Sequence, residues 1–318
     1  ECSSSNPGTV FRTTSSYVDD VLNYMQNKNH SHKKKIGLDP GGGASCRYVN
    51  MLFHELGNGY LAINDAYGTS SRGTDPTVEN LQELGSLVTD NKLSLGFAFD
   101  LDGDRVVVVD RYGRKMEPDA TLLLCVGAAI EQGARKFVVS LDTSLALEKF
   151  IKHSGGEIVY SKVGEANVVD KMVEIGADAG GEGSSAGYIS PNFNMCRDGL
   201  LASALISSLE EEKQDEYLHF IRTYKQQRSK VYVPNSVKFK IINELVEPLR
   251  KISTEIILDD GIKALLDEDS WILVRPSNTE DILRISVEST INKTQDLFEF
   301  VKAKVLTINE RFKGTADN

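Results

Sequence analysis

Short apolar runs alternate with stretches of helical spacing along the first third of the chain. The runs KKIGLD (34–39), YLAIN (60–64) and LGFAFD (95–100) predict buried β-strands. Between them, apolar residues at helical intervals predict helices over 48–56 and 76–88, the second with a proline near its start. This βαβαβ order predicts a parallel sheet with helices on its faces.

The same alternation appears a second time in the middle of the chain. KFVVSLD (136–142) and EIVYSK (157–162) predict strands, and each is followed by a stretch of helical spacing, at 145–153 and 166–176. The order repeats with little sequence identity between the two parts. We therefore expect two structurally related α/β domains.

The pattern changes after residue 227, where strand-like runs come closer together. We expect strands at 230–234, 254–260, 270–276 and 282–289, and helices near 239–251 and 293–311. Such spacing predicts a smaller α+β domain with an antiparallel sheet. The expected fold is therefore two related α/β domains with mixed, mostly parallel sheets, followed by that smaller C-terminal domain.

Composition and charge narrow the classes of function. The 318 residues carry a formal net charge of −10, which argues against a general nucleic-acid-binding protein, since such proteins usually present a basic face. The four cysteines form no CxxC pair, so neither a zinc site nor a disulfide framework is indicated, and a cytoplasmic location is expected. No apolar run is long enough to span a bilayer and no signal peptide is recognisable, so no membrane partner is expected.

Three aspartates follow the third predicted strand within FAFDLDGDR. Asp100, Asp102 and Asp104 can converge once the chain turns at the glycine between them, and such oxygen-rich clusters suit hard cations such as Mg²⁺ or Ca²⁺. Without a cation the carboxylates would repel one another, so a metal site is favoured over a solvated acidic turn. An EF-hand loop is excluded, because arginines occupy the positions that need glycine and glutamate. Residues 100–105 are termed the aspartate loop.

The aspartate loop also resembles the nucleophile loop of haloacid-dehalogenase-type phosphatases. In that family an apolar strand leads into DxDG, where the first aspartate attacks phosphate and the second is the general acid/base; here these would be Asp100 and Asp102. Asp259 and Asp260 could supply that family's late acidic pair. Asp104 stands where the family has threonine or valine, so the resemblance is incomplete.

A second polar motif, RPSNTE (275–280), lies between two predicted strands and is termed the arginine loop. Arg275 can grip a phosphate through two parallel charge-assisted hydrogen bonds. Ser277, Asn278 and Thr279 add hydroxyl, amide and backbone donors in the same turn. The motif predicts a phosphate site, with an arginine that only caps a β-turn as the alternative.

A third motif, GGEGSSAG (180–187), is termed the glycine loop. Its glycines allow the backbone to approach a ligand closely. Glu182 can accept hydrogen bonds from two neighbouring hydroxyl groups, as on a sugar, and Ser184 can add another contact. Taken alone, the motif is equally consistent with a flexible loop.

Together the three motifs resemble those of the α-D-phosphohexomutase superfamily, which includes phosphomannomutases, phosphoglucomutases and phosphoglucosamine mutases. That family has a metal loop DGDGDR, a sugar loop GExSG and a phosphate loop RxSxTE, and this chain has DLDGDR, GEGSS and RPSNTE in the same order. The stretches DPGGGAS (39–45), KVGEANVVDKM (162–172) and CRDGLLASALI (196–206) resemble further family features. The resemblance extends from Tyr17 onward over essentially the whole chain.

The resemblance implies a domain organisation and an activity. Domain 2 with the metal loop would occupy 17–117, domain 3 with the sugar loop 118–227, and domain 4 with the phosphate loop 228–318. The activity would be that of a Mg²⁺-dependent phosphohexomutase. Its substrate would be a hexose phosphate of mannose, glucose or glucosamine. A phosphoserine of the enzyme would mediate the transfer of the phosphoryl group between C1 and C6 of this sugar.

The resemblance also assigns roles to the polar residues of the three loops. The three aspartates would bind Mg²⁺, with Arg105 as a catalytic residue beside the reacting phosphoryl group. The residues implied in substrate binding are Glu182 and Ser184 for the sugar hydroxyls, and Arg275, Ser277, Asn278 and Thr279 for the distal phosphate. No general acid or base is assigned, because many family members have glycine and histidine where this chain has Ser185 and Ala186.

The family's first domain, which carries the phosphoserine in a TxSHNP loop, has no evident counterpart. If CSSSNPG (2–8) is aligned with this loop, Ser4 takes the position of the nucleophile. The predicted second domain begins only about ten residues later, which is too close for the family's first domain. Residues 1–16 are therefore interpreted as a remnant of the first domain or as a linker. The chain alone is then expected to be inactive, unless a missing domain or a partner chain carries the phosphoserine. A noncatalytic sugar-phosphate-binding protein is the alternative.

Overall fold

The computed structural model describes residues 16–26, 33–277, 279–290 and 292–314. Within these ranges no helix is long and apolar enough to cross a membrane. The helices are α1 (Tyr17–Gln26), α2 (Cys46–Glu55), α3 (Gln82–Asp90), α4 (Pro118–Glu131), α5 (Leu145–His153), α6 (Glu165–Ile175), α7 (Gly199–Ser208), α8 (Glu211–Arg222), α9 (Lys238–Arg250) and α10 (Thr294–Gly314). The strands are β1 (Lys35–Asp39), β2 (Gly59–Ala62), β3 (Leu95–Phe99), β4 (Val106–Val109), β5 (Lys136–Ser140), β6 (Glu157–Ser161), β7 (Ala179–Glu182), β8 (Gly187–Ile189), β9 (Tyr224–Tyr232), β10 (Glu255–Ile257), β11 (Ile262–Asp267), β12 (Ser270–Pro276) and β13 (Ile282–Thr290).

The first four strands form one sheet in the order β2-β1-β3-β4. β1, β2 and β3 run parallel, and β4 returns antiparallel to β3, with Phe99 opposite Val106. Every residue of β3 and β4 is buried, so the sheet is covered on both faces there, as continuous apolar runs require. The parallel βαβαβ order predicted for this part of the chain is confirmed, and an antiparallel edge strand is added to it.

The second sheet repeats this arrangement strand for strand. Its order is β6-β5-β7-β8, with three parallel strands and an antiparallel β8 at the edge. The predicted structural repeat is therefore confirmed. The aspartate loop joins β3 to β4 and the glycine loop joins β7 to β8, so the two loops occupy equivalent positions in the two repeats.

One apolar core serves both repeats. α4 and α7 are buried along most of their length, as expected of helices that are apolar on every side. α4 packs against β4 of the first sheet and β7 of the second, and α7 contacts β4 and β8. A single cluster of buried side chains runs from Val18 to Ile221. Hydrophobic packing therefore holds the two sheets, and with them the two loops, in a defined relation.

The C-terminal part of the chain forms a domain with its own core. Its sheet has the order β10-β11-β12-β13-β9 and is antiparallel throughout. α9 and α10 pack on this sheet and enclose a second apolar cluster that includes Ile241, Leu245 and Val301. The arginine loop lies between β12 and β13. The expected fold class, two related α/β domains followed by an antiparallel α+β domain, is confirmed.

The apolar pattern of the sequence does not predict β7, which contains two glycines. An added Cβ on Gly180 would come within 2.6 Å of Val138 O, and one on Gly181 within 2.1 Å of Gly187 O. The strand needs glycine for this close packing, although glycine is also typical of loops. The sequence therefore indicates a loop where the structure has a strand.

The predicted helix over 76–88 begins only at Gln82 in the structure. The side chain of Asp75 accepts hydrogen bonds from Thr77 N at 2.9 Å and from Thr77 Oγ1 at 2.7 Å. The backbone is then left-handed at Leu81, which has a φ of +54°, so a continuous helix cannot pass through this residue and α3 begins after it. Of the apolar residues in this turn, Leu81 is buried, whereas Val78 is exposed.

Lys263 of β11 ties the C-terminal domain to the second repeat. Its side chain is 2% exposed, its ammonium group donates to Leu141 O at 2.6 Å, and it lies over the rings of Tyr160 and Trp271. Burial lowers its pKa to about 8. Because Lys263 interrupts a short apolar run, the sequence pattern does not predict β11.

Two buried carboxyl groups lie at the same interface. Glu288 of β13 accepts hydrogen bonds from Leu145 N at the start of α5 and from Gln226 Nε2, both at 2.7 Å. Asp119 of α4 accepts one from Ser144 N at 2.7 Å. Burial, with the nearby charge of Asp119, raises the pKa of Glu288 to about 7, and burial raises the pKa of Asp119 to about 6.

The raised pKa of Glu288 predicts a pH-dependent stability. Between about pH 4.5 and about pH 7 the folded chain keeps a proton that the unfolded chain has lost, so the free energy of unfolding falls as the pH rises. Glu288→Gln should reduce the fall between about pH 5.5 and about pH 7.5 by about 2 kcal/mol, measured by urea unfolding at each pH. Glu247→Gln, at an exposed position of α9, is the control. Equal pH profiles for wild type and Glu288→Gln would contradict the buried, protonated carboxyl group.

Candidate functional site

The aspartate loop turns sharply after β3 and brings its three carboxylates together. Asp100, Asp102 and Asp104 each place an oxygen within 4.8 Å of the others. The turn depends on Gly103, which has a φ of +79° and whose backbone oxygen accepts a hydrogen bond from Gly199 N at 3.1 Å. The side chains therefore converge, as the alternating aspartates predict.

Asp100 is the most buried of the three carboxylates. Its Oδ1 accepts hydrogen bonds from the backbone N–H groups of Gly103 and Arg105, each at 3.1 Å. Burial, together with the neighbouring carboxylates of Asp104 and Asp102, raises its pKa to about 7. The loop thus disfavours three negative charges in one place, an effect that a bound cation would reverse.

The oxygen atoms of the aspartate loop fit a divalent cation. Asp104 Oδ1 is buried without a hydrogen-bond partner among the described residues, and it lies 3.6 Å from Arg105 Nε. Asp104 Oδ2 is held by Arg197 Nη2 at 2.6 Å. An orphaned carboxylate oxygen beside two further carboxylates is the all-oxygen donor set that Mg²⁺ and Ca²⁺ prefer.

A cavity of about 350 Å³ opens beside the aspartate loop. The side chains that line it include Tyr17, Ser45, Tyr48, Asp102, Asp104 and Arg197. This volume lies within the range of ligand pockets in proteins. Asp102 and Asp104 therefore face a space in which a reacting group can be accommodated.

Glu182 of the glycine loop is almost fully buried. Its Oε1 accepts a hydrogen bond from Gly164 N at 2.8 Å, and its Oε2 lies 3.5 Å from Arg197 Nη1. Burial and the charge of Asp142 raise its pKa, whereas the charge of Arg197 lowers it. A carboxylate has four lone pairs, so Glu182 retains the capacity to accept hydrogen bonds from hydroxyl groups. Ser184 is partly exposed two residues further on.

The backbone of the glycine loop packs closely on the second repeat. Gly183 N donates to Thr143 Oγ1 at 3.2 Å, and an added Cβ on Gly183 would come within 2.0 Å of Asp119 Oδ1. The glycine is therefore required by its neighbours. This tight packing argues against the flexible-loop interpretation of the motif.

The arginine loop closes the hairpin between β12 and β13. Arg275 is partly exposed, Ser277 is buried and Thr279 is exposed, whereas Asn278 lies outside the described residues. Ser277 Oγ accepts a hydrogen bond from Glu280 N at 3.2 Å and so stabilises the turn. Arg275, Ser277 and Thr279 therefore lie at one end of this hairpin, and their phosphate-binding role stays a prediction.

Asp260 connects the arginine loop to the glycine loop. Its Oδ2 lies 3.7 Å from Arg275 Nη1 and accepts a hydrogen bond from Val163 N at 3.1 Å. The next residue, Gly164, donates its backbone N–H to Glu182 at 2.8 Å. The arginine loop is therefore linked to the glycine loop through Asp260 and the backbone of Val163 and Gly164, across the boundary between the second repeat and the C-terminal domain.

Arg197 connects the glycine loop to the aspartate loop. Its guanidinium group lies 3.5 Å from Glu182 Oε2 and 2.6 Å from Asp104 Oδ2. The three loops are thus joined by a continuous set of contacts. The sequence does not predict this role. A single arginine just before a helix, as in CRDGLLASALI (196–206), has the sequence pattern of an exposed surface residue.

Lys238, the first residue of α9, lies beneath the arginine loop. Its side chain is 2% exposed, and its ammonium group donates to Ser277 O at 3.0 Å and to Glu280 O. The buried positive charge holds the backbone of the loop and adds to the field that attracts an anion. Sequence reasoning misses it, since a lysine at the start of an amphipathic helix resembles an exposed residue.

Comparison with known families establishes the relationship of the chain. Models of the phosphoglucomutase/phosphomannomutase family match three successive parts: alpha/beta/alpha domain II over 15–113, alpha/beta/alpha domain III over 117–224, and the C-terminal domain over 230–302. The chain belongs to the phosphoglucomutase/phosphomannomutase family. The predicted resemblance to the phosphohexomutases is confirmed, and the family's domain I is not detected, in agreement with the sequence analysis.

Curated relatives in this family carry the name of one of its enzymes. A protein of Pyrococcus abyssi named "Probable phosphoglucosamine mutase" is 35% identical over 290 residues, which are 89% of this chain and 63% of the relative. A protein of the same name from Pyrococcus horikoshii is 34% identical over 279 residues, or 86% of this chain and 61% of the relative. The chain therefore spans about three fifths of the length of these relatives.

Solved structures of the family share the fold. A phosphoglucomutase/phosphomannomutase family protein from Burkholderia thailandensis superimposes with a TM-score of 0.77 at 21% identity, over 92% of this chain and 64% of that one. Aspergillus fumigatus N-acetylphosphoglucosamine mutase, solved with GlcNAc-6P and magnesium, gives a TM-score of 0.58 at 14% identity, with coverages of 92% and 64%. At such identities the likeness shows the fold alone.

Family membership favours the mutase interpretation of the aspartate loop over the dehalogenase-type phosphatase. The structure agrees with this choice on one point. Asp260, which could belong to the late acidic pair of a phosphatase, pairs with Arg275 and does not join the cluster of Asp100, Asp102 and Asp104.

Lys238→Met should loosen the arginine loop, because Ser277 O and Glu280 O would lose a buried donor. We expect the free energy of unfolding to fall by about 1–3 kcal/mol. Amide hydrogen exchange should become faster at Ser277 and Glu280, which mass spectrometry or NMR can measure. Lys240→Met removes an exposed lysine two residues further along α9 and is the matched control. The same exchange rates in both variants would show that Lys238 does not hold the loop.

Proposed function

We propose that the chain provides the metal, sugar and phosphate sites of a Mg²⁺-dependent phosphohexomutase, which moves a phosphoryl group between C1 and C6 of a hexose phosphate. The observation that carries the proposal is the continuous set of contacts that joins the aspartate, glycine and arginine loops. A hexose phosphate has a reacting end, a ring with hydroxyl groups and a distal phosphate. Each of these parts has a matching group of side chains in one of the three loops.

Glucosamine phosphate is the substrate that we propose first. The support is the name phosphoglucosamine mutase, which relatives between 31% and 35% identical to this chain carry. Glucose and mannose phosphates differ from it at one carbon or one substituent. They are therefore the natural competitors in a binding assay.

The proposed domains follow the loops. We assign domain 2 to 17–117, domain 3 to 118–227 and domain 4 to 228–318. The two repeated sheets and the separate C-terminal core support a division into three domains. β9 (Tyr224–Tyr232) belongs to the C-terminal sheet, so the start of domain 4 shifts from 228 to about 224.

The aspartate loop would hold the cation next to the reacting phosphoryl group. Asp100, Asp102 and Asp104 are the proposed ligands, and Mg²⁺ bound there would offset the negative charge of the phosphoryl group during transfer. Arg105 is the proposed catalytic residue. Its guanidinium group lies 3.5 Å from Asp100 Oδ2 and 3.5 Å from Asp75 Oδ2, among the carboxylates, where it can contact a phosphoryl oxygen.

The glycine and arginine loops would hold the rest of the substrate. Glu182 can accept hydrogen bonds from two adjacent sugar hydroxyls, with Ser184 beside it. The side chains proposed for the distal phosphate are Arg275, Ser277, Asn278 and Thr279. The buried ammonium group of Lys238 adds positive charge behind this phosphate site. Transfer of a phosphoryl group depends mainly on such positioning and charge stabilisation.

The phosphoryl donor would be the family's phosphoserine. Ser4, which the motif CSSSNPG would place at the position of this phosphoserine, lies outside the described residues. We propose that the serine loop is supplied by a further domain or a partner chain and approaches the cavity beside the aspartate loop. The described residues would then bind the substrate without completing a turnover on their own.

Binding of a hexose phosphate should protect the chain against heat. Glucosamine 6-phosphate with Mg²⁺, at about 100 times its dissociation constant, should add about 2.7 kcal/mol to the free energy of unfolding and raise the melting temperature. Arg275→Met should abolish most of this shift, because the distal phosphate loses its bidentate partner. Arg250→Met, in an exposed ion pair of α9, should leave it unchanged.

Two results, one from this experiment and one from a separate phosphatase assay, would contradict the proposal. The first is that none of the phosphates of glucosamine, glucose and mannose shifts the melting temperature. The second is hydrolysis of p-nitrophenyl phosphate that disappears in Asp100→Asn, because this would support the dehalogenase-type phosphatase instead. Glucosamine without phosphate is the ligand control.

A further inference from the structure

Arg197 is a buried cation shared by three segments that are distant in sequence. Its side chain is 13% exposed and lies in the short connection between β8 and α7. It faces Asp104 of the aspartate loop, Glu165 at the start of α6 and Glu182 of the glycine loop. Nothing in the three sequence motifs assigns a role to this residue.

Each of these carboxylates meets a different nitrogen of the guanidinium group. Nη2 lies 2.6 Å from Asp104 Oδ2, Nε lies 3.2 Å from Glu165 Oε2, and Nη1 lies 3.5 Å from Glu182 Oε2. The backbone N–H of Arg197 also donates to Glu165 Oε1 at 2.7 Å. Glu165 therefore anchors both the main chain and the side chain of Arg197.

The side chain of Arg197 is also held along its length. An added Cβ on Gly187 would come within 2.3 Å of Arg197 Cδ, so the aliphatic part of the side chain lies directly against the backbone of β8. Ser185 Oγ lies 3.4 Å from Nη1. The guanidinium group is thus presented to the two loops in one orientation.

This arrangement determines which oxygen of Asp104 is left for a cation. Arg197 takes Oδ2, and Oδ1 is left without a hydrogen-bond partner among the described residues, so Oδ1 is the oxygen that Asp104 can offer to a cation. At the glycine loop, Arg197 Nη1 and Gly164 N hold one oxygen each of Glu182. One rigid fork therefore sets the direction of a carboxylate in each loop.

We propose that Arg197 is a positioning residue that orients Asp104 for the divalent cation and Glu182 for the sugar. The affinities for the cation and for the hexose phosphate then depend on the same guanidinium group. The sugar half of this inference rests on the proposed function, whereas the cation half rests on the aspartate loop alone. Residues that orient metal ligands in this way typically change metal affinity about 10–100-fold when they are replaced.

The competing explanation is that Arg197 only neutralises buried acids. Lysine would satisfy that requirement, because it keeps the positive charge. A lysine ammonium group has three N–H donors on a single, freely rotating nitrogen, so it cannot hold three carboxylates at the separate positions that Nη1, Nη2 and Nε of Arg197 occupy. Arg197→Lys therefore separates orientation from charge.

The experiment measures binding to the intact chain by calorimetry, first with Mn²⁺ alone and then with glucosamine 6-phosphate in the presence of Mn²⁺. Arg197→Lys should weaken the binding of each by about tenfold or more. Arg111→Lys is the matched control, because Arg111 also joins the two repeats, through Asp215 at 2.7 Å, but lies away from the three loops. Its affinities should equal those of the wild type.

Glu165→Gln gives a second test that does not alter either loop. It removes a negative charge, which by charge alone would strengthen the binding of an anionic sugar phosphate. The amide oxygen of glutamine can still accept the backbone N–H of Arg197, but an NH2 group then replaces the oxygen that faces Arg197 Nε. The guanidinium group loses this anchor, so the positioning role predicts weaker binding of the sugar phosphate. Its partly exposed position favours a folded variant, should Arg197→Lys fail to fold.

Wild-type affinities in Arg197→Lys, or stronger sugar-phosphate binding in Glu165→Gln, would overturn the inference and leave the proposed function intact. Failure of the wild type to bind any hexose phosphate would instead count against the proposed function. In that case the Mn²⁺ titrations of wild type and variants still decide whether Arg197 orients Asp104.

Discussion

The site depends on holding three carboxylates within 4.8 Å of one another in the aspartate loop. A fourth, Glu182, is linked to Asp104 through the guanidinium group of Arg197. Arg105 and Arg197 offset part of this charge. Burial, together with the neighbouring carboxylates, raises the pKa of Asp100 to about 7, and the proposed divalent cation would favour the charged form of all three aspartates.

Two kinds of packing place the loops. The aspartate and glycine loops occupy equivalent positions in two repeats that share one apolar core, so their relation is set by α4 and α7. The arginine loop belongs to a domain with a separate core, and polar contacts of Lys263, Glu288 and Asp260 connect that domain to the second repeat. Leu145 of the second repeat also packs there against Trp271 and Leu273 of β12. The arginine loop is therefore positioned by an interface that combines polar and apolar contacts.

Much of the fold and the three loops could be predicted from the sequence. Apolar runs and helical spacing indicate the repeated α/β order, and each loop combines glycine or proline with charged or hydroxyl side chains at a strand end. β7 is missed because its glycines are required by backbone packing, and β11 because Lys263 interrupts its apolar run. Arg197 and Lys238 are missed because isolated cations near helix starts become buried only through contacts between distant segments.

The most direct test is a crystal structure of the chain with Mn²⁺ and glucose 1,6-bisphosphate, with the metal located by anomalous scattering. We expect a single Mn²⁺ among Asp100, Asp102 and Asp104. We also expect one sugar molecule to contact Glu182 through its hydroxyls and Arg275 through one of its phosphates. A metal bound elsewhere, or a sugar that contacts only one of the three loops, would contradict the conclusion that the loops form one phosphosugar site.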